Sequence, residues 1–167
     1  DWANVAVVLN DERWVPESSD RSNTRLVRER LLRGRAAQAR LVPLYAPADQ
    51  PEEMLAALED GLKPHLPISV LLLGMGADMH TASLFPGADR LEEALSTNAP
   101  ILLPMRAEAA GEPRITLTAR TLREAFNIHI LITGNEKREA LDRAMTLTPM
   151  EAPVRAVLDN ATVHWAE

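Results

Sequence analysis

The 167-residue sequence contains no cysteine. Disulfides, Cys-based zinc sites and a thiol nucleophile are therefore excluded, and the absence fits a reducing, cytoplasmic setting. No apolar run approaches the roughly 20 residues needed to cross a bilayer, so no membrane partner is expected. No basic segment precedes the apolar run in the opening "DWANVAVVLND", so no secretory leader is read there. There is no starting Met, and Asp1 reads as a fragment boundary. Cations are in the minority, 18 Lys and Arg against 24 acids, for a formal charge of -6. That balance lacks the dense cationic face that nucleic-acid binding by counterion release requires. A small anionic substrate stays open, because a few local Arg or Lys side chains override a global sign.

Several catalytic patterns are missing as well. There is no Gly-Lys-Ser/Thr phosphate loop, no dinucleotide fingerprint and no Gly-x-Ser-x-Gly elbow, which leaves a serine hydrolase unsupported. His65, His129 and His164 have no metal-ligand spacing with one another, and no metal site is expected. The chain shows no internal repeat and no low-complexity segment.

What is present is a soluble globular composition, 46% hydrophobic and 25% charged, of a length that suits one domain over residues 1–167. Buried strands are read at "VAVVL" (5–9) and "SVLLLG" (69–74), and further strands at "ARLVPLY" (39–45), "NIHILIT" (127–133), "VRAVL" (154–158) and "TVHWAE" (162–167). "RITLT" (114–118) alternates as an edge or half-buried strand would. Helices are read at "TRLVRERLLRGR" (24–35), capped by Ser22 or Asn23, at "PEEMLAALEDGLKPHL" (51–66), at "ARTLREAF" (119–126) and at "NEKREALDRAM" (135–145). "NDERWVPESSDRSN" (10–23) reads as a loop, and the Arg-rich 21–35 segment as a helix with a solvated face. Strands alternating with helices predict an α/β domain with a largely parallel sheet. Ligands of such sheets sit past the carboxyl ends of the strands. Three strands end there in polar loops: Leu9 into "NDER", Leu73 into "GMGADMH" and Thr133 into "GNEK". These loops are expected to meet along one edge.

In "LLLGMGADMHTASLFPG" (71–87), Gly74 and Gly76 permit a tight turn and close approach to a ligand. A helix beginning near Thr81 would offer free N–H groups to an anion or oxyanion. Asp78 stands close enough in sequence to orient His80. The pattern alone leaves His80 between a turn residue and a working base. Likewise Asp11, Glu12 and Arg13 read either as a solvated turn or as an anion site, with Asp11 fixing the planar fork of Arg13. Arg114 opens a strand. Lys137 stands against the dipole in a helix's first turn, a placement that suits service to an anion.

Taken together, these blocks closely resemble those of 6-phosphogluconolactonases. "LLLGMGADMHTASLFPG", "NDERWVPESSDRSNTRLVRERLL", "PRITLT", "GNEKREAL" and "APVRAVLDNATVHWAE" match the family's blocks in order across essentially the whole chain. The resemblance implies a Rossmann-like α/β fold with a mostly parallel central sheet and helices on both faces. It implies hydrolysis of 6-phosphoglucono-1,5-lactone to 6-phosphogluconate without metal or organic cofactor. Carried over, His80 becomes the general base, with Arg13 and Asp11 at the substrate. Asn23, Gly74, Gly76, Thr81, Arg114 and Lys137 become substrate contacts. Two departures stand out. Met79 replaces the family's usual Gly, which would strain it if the backbone there has φ > 0. A Ser-Gly-Gly-Ser-Thr-Pro-like phosphate loop is missing, the first glycine being Gly34, so the chain looks like the last two-thirds to three-quarters of the family fold. Two alternatives follow. One is an amino-sugar-phosphate isomerase or deaminase of the same fold, which "HTASLFPG" argues against. The other is a non-catalytic sugar-phosphate-binding module.

Overall fold

The computed structural model describes residues 1–167. Along the chain, β1 (Ala6–Val8) is followed after two residues by β2 (Asp11–Arg13), within the stretch expected to be loop. Strand β2 escapes a hydrophobicity reading because its inward side chain is Glu12, a charged residue that is fully buried. Helix α1 (Asn23–Arg30) begins where Ser22 caps it, the Ser22 hydroxyl accepting from the Arg25 N–H at 3.2 Å. Strand β3 (Arg40–Val42) and helix α2 (Leu55–Leu62) come next, the latter entered through a 3-10 turn with a Gln50–Glu53 capping box. Strand β4 (Leu71–Gly74) then precedes α3 (Leu91–Leu95) and β5 (Leu102–Met105). Strand β5 carries Pro104, which cannot donate to a ladder and is accommodated at the sheet's edge.

Strand β6 (Arg114–Leu117) differs from the edge or half-buried strand expected. All four of its residues are buried, because it is the central strand between β2 and β5. Helix α4 (Ala119–Arg123), strand β7 (Ile128–Thr133) and helix α5 (Asn135–Ala144) fall where expected. The "VRAVL" segment does not form a strand. It is helix α6 (Arg155–Leu158), with Val154 and Val157 buried at helical spacing, so packing overrides β-branched propensity. Strand β8 (Ala161–Ala166) ends the fold.

Strands β1 and β3 pair in parallel, as do β4, β7 and β8 in that order. Strands β2, β6 and β5 form a separate antiparallel sheet. The α/β class therefore holds, while the single mostly parallel sheet is realised as two small parallel sheets and one antiparallel one. The core gathers Leu71, Leu73, Ile130 and Ile132 from the parallel strands with Leu102, Ile115 and Leu117 from the antiparallel ones, sealed by Leu62, Ala140 and Ala144 from helices. Each such Leu or Ile contributes about 1.5–3 kcal/mol of burial. In the β4–β7–β8 sheet Leu72 and Leu131 are exposed, while Leu71, Leu73, Ile130 and Ile132 are buried. No helix is long and apolar enough to cross a membrane.

Candidate active site

The loops after β1, β4 and β7 meet, as the alternation of elements predicts. They enclose a cleft of about 310 Å³ whose lining includes Asp11, Arg13, Asn23, Gly74, Gly76, His80, Arg114 and Lys137. Asn10, Met75 and Ala82 also line it. The Asn10 side chain donates to the Leu72 carbonyl at 3.2 Å and so ties the end of β1 to β4. Three cations, Arg13, Arg114 and Lys137, face this space with the Asp11 carboxylate among them. The cleft is thus locally positive on a chain of net charge -6.

His80 sits on a turn closed by two backbone bonds, Met79 N–H to the Gly76 carbonyl at 2.9 Å and Gly76 N–H to the His80 carbonyl at 3.0 Å. Its Nδ1 lies 2.5 Å from Asp78 Oδ1, and its own N–H donates to the same oxygen at 3.2 Å. A carboxylate only accepts, so Nδ1 carries the proton and Nε2 is left with a free lone pair. The Phe85 ring braces the imidazole, with centroids 4.4 Å apart. Gly76 is required here: a Cβ on it would collide with Nδ1 and Cε1 of His80 and with Asp78 Oδ1. At Gly74 a Cβ would meet nothing within 4 Å, so packing does not demand glycine there.

Met79 has φ of 66°, the left-handed region that favours glycine. His80 nevertheless lines the cleft, because the turn is held from outside: the Val154 N–H donates to the Met79 carbonyl at 3.1 Å, and the Met79 side chain packs on the core. Met79→Ile, of similar volume but β-branched, is expected to lose about 1–2 kcal/mol, while Met79→Gly stays within about 1 kcal/mol of the parent. Chemical denaturation compares them, and equal losses would reject the backbone explanation.

The second half of the site comes from the β2–β6 pairing. Antiparallel register sets Asp11 opposite Thr116 and Arg13 opposite Arg114, two like charges side by side. The Arg13 Nη1 donates to the Asn23 Oδ1 at 2.9 Å and to the Arg21 carbonyl at 2.7 Å; Asn23 in turn donates to the Asp11 carbonyl at 3.1 Å. The Asp11 carboxylate stands 3.7 Å from the Arg114 Nη1 and accepts from the Ser83 hydroxyl at 2.6 Å. Burial pushes the Asp11 carboxyl above its ordinary range, opposed by the Ser83 hydrogen bond and by Arg114 and Arg13. Burial also lowers Arg114 from its ordinary value, with the neighbouring Arg13 acting in the same direction. The Nε–H groups of Arg13 and Arg114 are buried without a hydrogen-bond partner.

Glu12 belongs to the frame instead. Its carboxylate accepts from the N–H groups of Arg13 and Asn23 at 2.8 Å each and of Thr24 at 2.7 Å, and from the Ser22 hydroxyl at 3.2 Å. Thr81 stands elsewhere than expected. No helix begins there; Thr81 and Leu84 bracket a tight turn, and Thr81 is fully buried with its hydroxyl on the Gly74 carbonyl at 2.8 Å. It holds the loop to β4 and does not line the cleft. Ser83 carried no signal beyond its place in "HTASLF", because its partner Asp11 lies 72 positions away.

A family model described as glucosamine-6-phosphate isomerases/6-phosphogluconolactonase matches residues 1–165. The chain is 46% identical to the 6-phosphogluconolactonase of Rhizobium meliloti, covering 99% of this chain and 75% of that protein. It is likewise 46% identical to that of Mesorhizobium japonicum, covering 99% of this chain and 71% of that one. A crystal structure of a 6-phosphogluconolactonase from Shewanella baltica OS155 superposes with a TM-score of 0.95 at 34% identity, over 100% of this chain and 74% of that one. The ordered blocks, the fold and these likenesses agree: the chain belongs to the glucosamine-6-phosphate isomerase/6-phosphogluconolactonase family.

Proposed function

We propose that the chain hydrolyses 6-phosphoglucono-1,5-lactone to 6-phosphogluconate, with His80 as the general base. The observation that carries this reading is the Asp78–His80 pair facing a cleft that gathers Arg13, Arg114 and Lys137. A water between Nε2 and the lactone carbonyl gives its proton to Nε2 as its oxygen attacks the carbonyl carbon. Asp78 keeps Nδ1–H oriented and balances the imidazolium that forms. The tetrahedral oxyanion then collapses, the ring C–O bond breaks, and the imidazolium returns its proton to the departing ring oxygen. The product is an open-chain acid that loses its proton to solvent.

Charge stabilisation falls to side chains in this reading. The N–H groups of Gly76, Met79 and His80 are already spent within the turn, which leaves the arginines and Lys137 for the oxyanion and the phosphate. Residues 1–167 act as one α/β domain here, because the cleft draws on positions from Asn10 to Lys137.

The decisive experiment is a lactone hydrolysis assay corrected for spontaneous opening, run beside incubation with glucosamine 6-phosphate. The expected result is hydrolysis well above background and no ammonia. Ammonia release would move the chain to the isomerase branch. Binding of 6-phosphogluconate without any rate would make it a binding module.

A further inference from the structure

Two strained residues flank Thr81. The first, Met79, turns the chain into His80. The second is Ala82, with φ of 49°, a conformation an L-residue adopts only when its surroundings impose it. Ala82 lines the cleft and Leu84 N–H closes the turn on the Thr81 carbonyl at 3.0 Å, so the reversal at Ala82 drives the next side chain inward. That side chain is Ser83. It is fully buried, its N–H donates to the Thr116 Oγ1 at 3.2 Å, and its hydroxyl donates to the Asp11 Oδ2 at 2.6 Å.

The target of that hydroxyl is specific. Thr116 is the β6 partner of Asp11 in the ladder, so Ser83 is bonded to both members of one cross-strand pair. The same Oδ2 faces the Arg114 Nη1 at 3.7 Å. Ser83 does not itself line the cleft, yet it acts on the oxygen that faces the buried arginine. Phe85, two residues on, lies beneath both His80 and Arg114, the latter guanidinium 5.7 Å from its centroid. One short segment thus braces both halves of the site.

We propose that Ser83 is a positioning residue of the site, its hydroxyl fixing the Asp11 carboxylate so that Asp11 holds Arg114 in place for the anionic substrate. The inference rests on the lactonase reading for its kinetic consequence but not for its structural one. The charged groups around Asp11 are Arg114 on β6 and Arg13 and Glu12 on β2. Burial raises the Asp11 carboxyl; the Ser83 bond and the two arginines lower it, while Glu12 raises it. Removing the Ser83 hydroxyl deletes one of the influences that keep Asp11 ionised. Its protonation then begins at a higher pH, and the neutral acid holds Arg114 less well.

The test is Ser83→Ala, read in two ways. Carboxyl carbon NMR should show the Asp11 titration midpoint displaced to higher pH, a change that a merely space-filling serine would not produce. Kinetics with the lactone should show KM raised about tenfold with kcat within about twofold of the parent, the scale of one hydrogen bond to a charged group. In an Asp11→Asn background, Ser83→Ala should add little, because the group it acts through is gone. Ser83→Cys, which keeps a weak donor and much of the volume, should fall between Ser and Ala, and it carries the test if the alanine variant does not fold. An unmoved Asp11 midpoint, or a full KM effect persisting in Asp11→Asn, would overturn the proposal. If the parent protein hydrolyses no lactone, the lactonase reading fails while the NMR result still decides the role of Ser83.

Discussion

His80→Ala should lower the catalysed rate by about 10²-fold or more while leaving the fold intact. The expected size follows from geometry. With Nδ1 occupied by Asp78, Nε2 is the one nitrogen of the ring left to accept a proton. No other imidazole lines the cleft. The loss should fall mainly on kcat, because the three cations proposed to meet the substrate's anionic groups, Arg13, Arg114 and Lys137, are left in place. Stability should change little, since the turn is closed by backbone bonds and by Val154, not by the ring. Steady-state assays with a melting curve on the same sample check both halves. A variant within a few-fold of the parent rate would remove His80 from the base role.

The largest stability effect is expected at Glu12, one residue from two groups assigned to the substrate. Glu12→Ala should cost about 3–5 kcal/mol, because three backbone N–H groups and a hydroxyl lose a fully buried acceptor at once. Glu12→Gln keeps the volume but turns one oxygen into a donor facing N–H groups, and should cost roughly half as much. Denaturant unfolding measures both, and an unchanged midpoint in Glu12→Ala would show that solvent replaces the carboxylate freely. Such a loss would reach the site as well, since Asn23, whose N–H Glu12 anchors, also grips Arg13.

The convergence of the three loops was legible because Val5–Leu9, Ser69–Gly74 and Asn127–Thr133 are apolar runs ended by polar or glycine-rich stretches, and that contrast survives in one dimension. What stayed hidden depends on contacts distant in sequence. Strand β2 has no apolar residue among Asp11, Glu12 and Arg13, so nothing in its pattern marks a strand; its pairing with β6 does. Val154 and Val157 look like strand residues until the core takes them at helical spacing. The strain expected at Met79 is present, but what keeps His80 in the cleft is a hydrogen bond from Val154, 75 positions along. Thr81 and Ser83 share a short polar stretch with His80, and only the reversal at Ala82 separates the residue that ties the loop from the one that reaches Asp11.

The pleat of β2 has one more consequence. Asp11 and Arg13 line the cleft while Glu12, between them, points into the frame, and only Leu9 and Asn10 separate this strand from β1. Side chains on a strand alternate with a period of two. A one-residue slip of β2 in its pairing with β6 would turn Glu12 outward and drive an aspartate and an arginine into a pocket shaped for its carboxylate. The register of β2 against β6 is thus what decides which side chains face the cleft: a slip of one exchanges the buried acid for the cleft-facing pair.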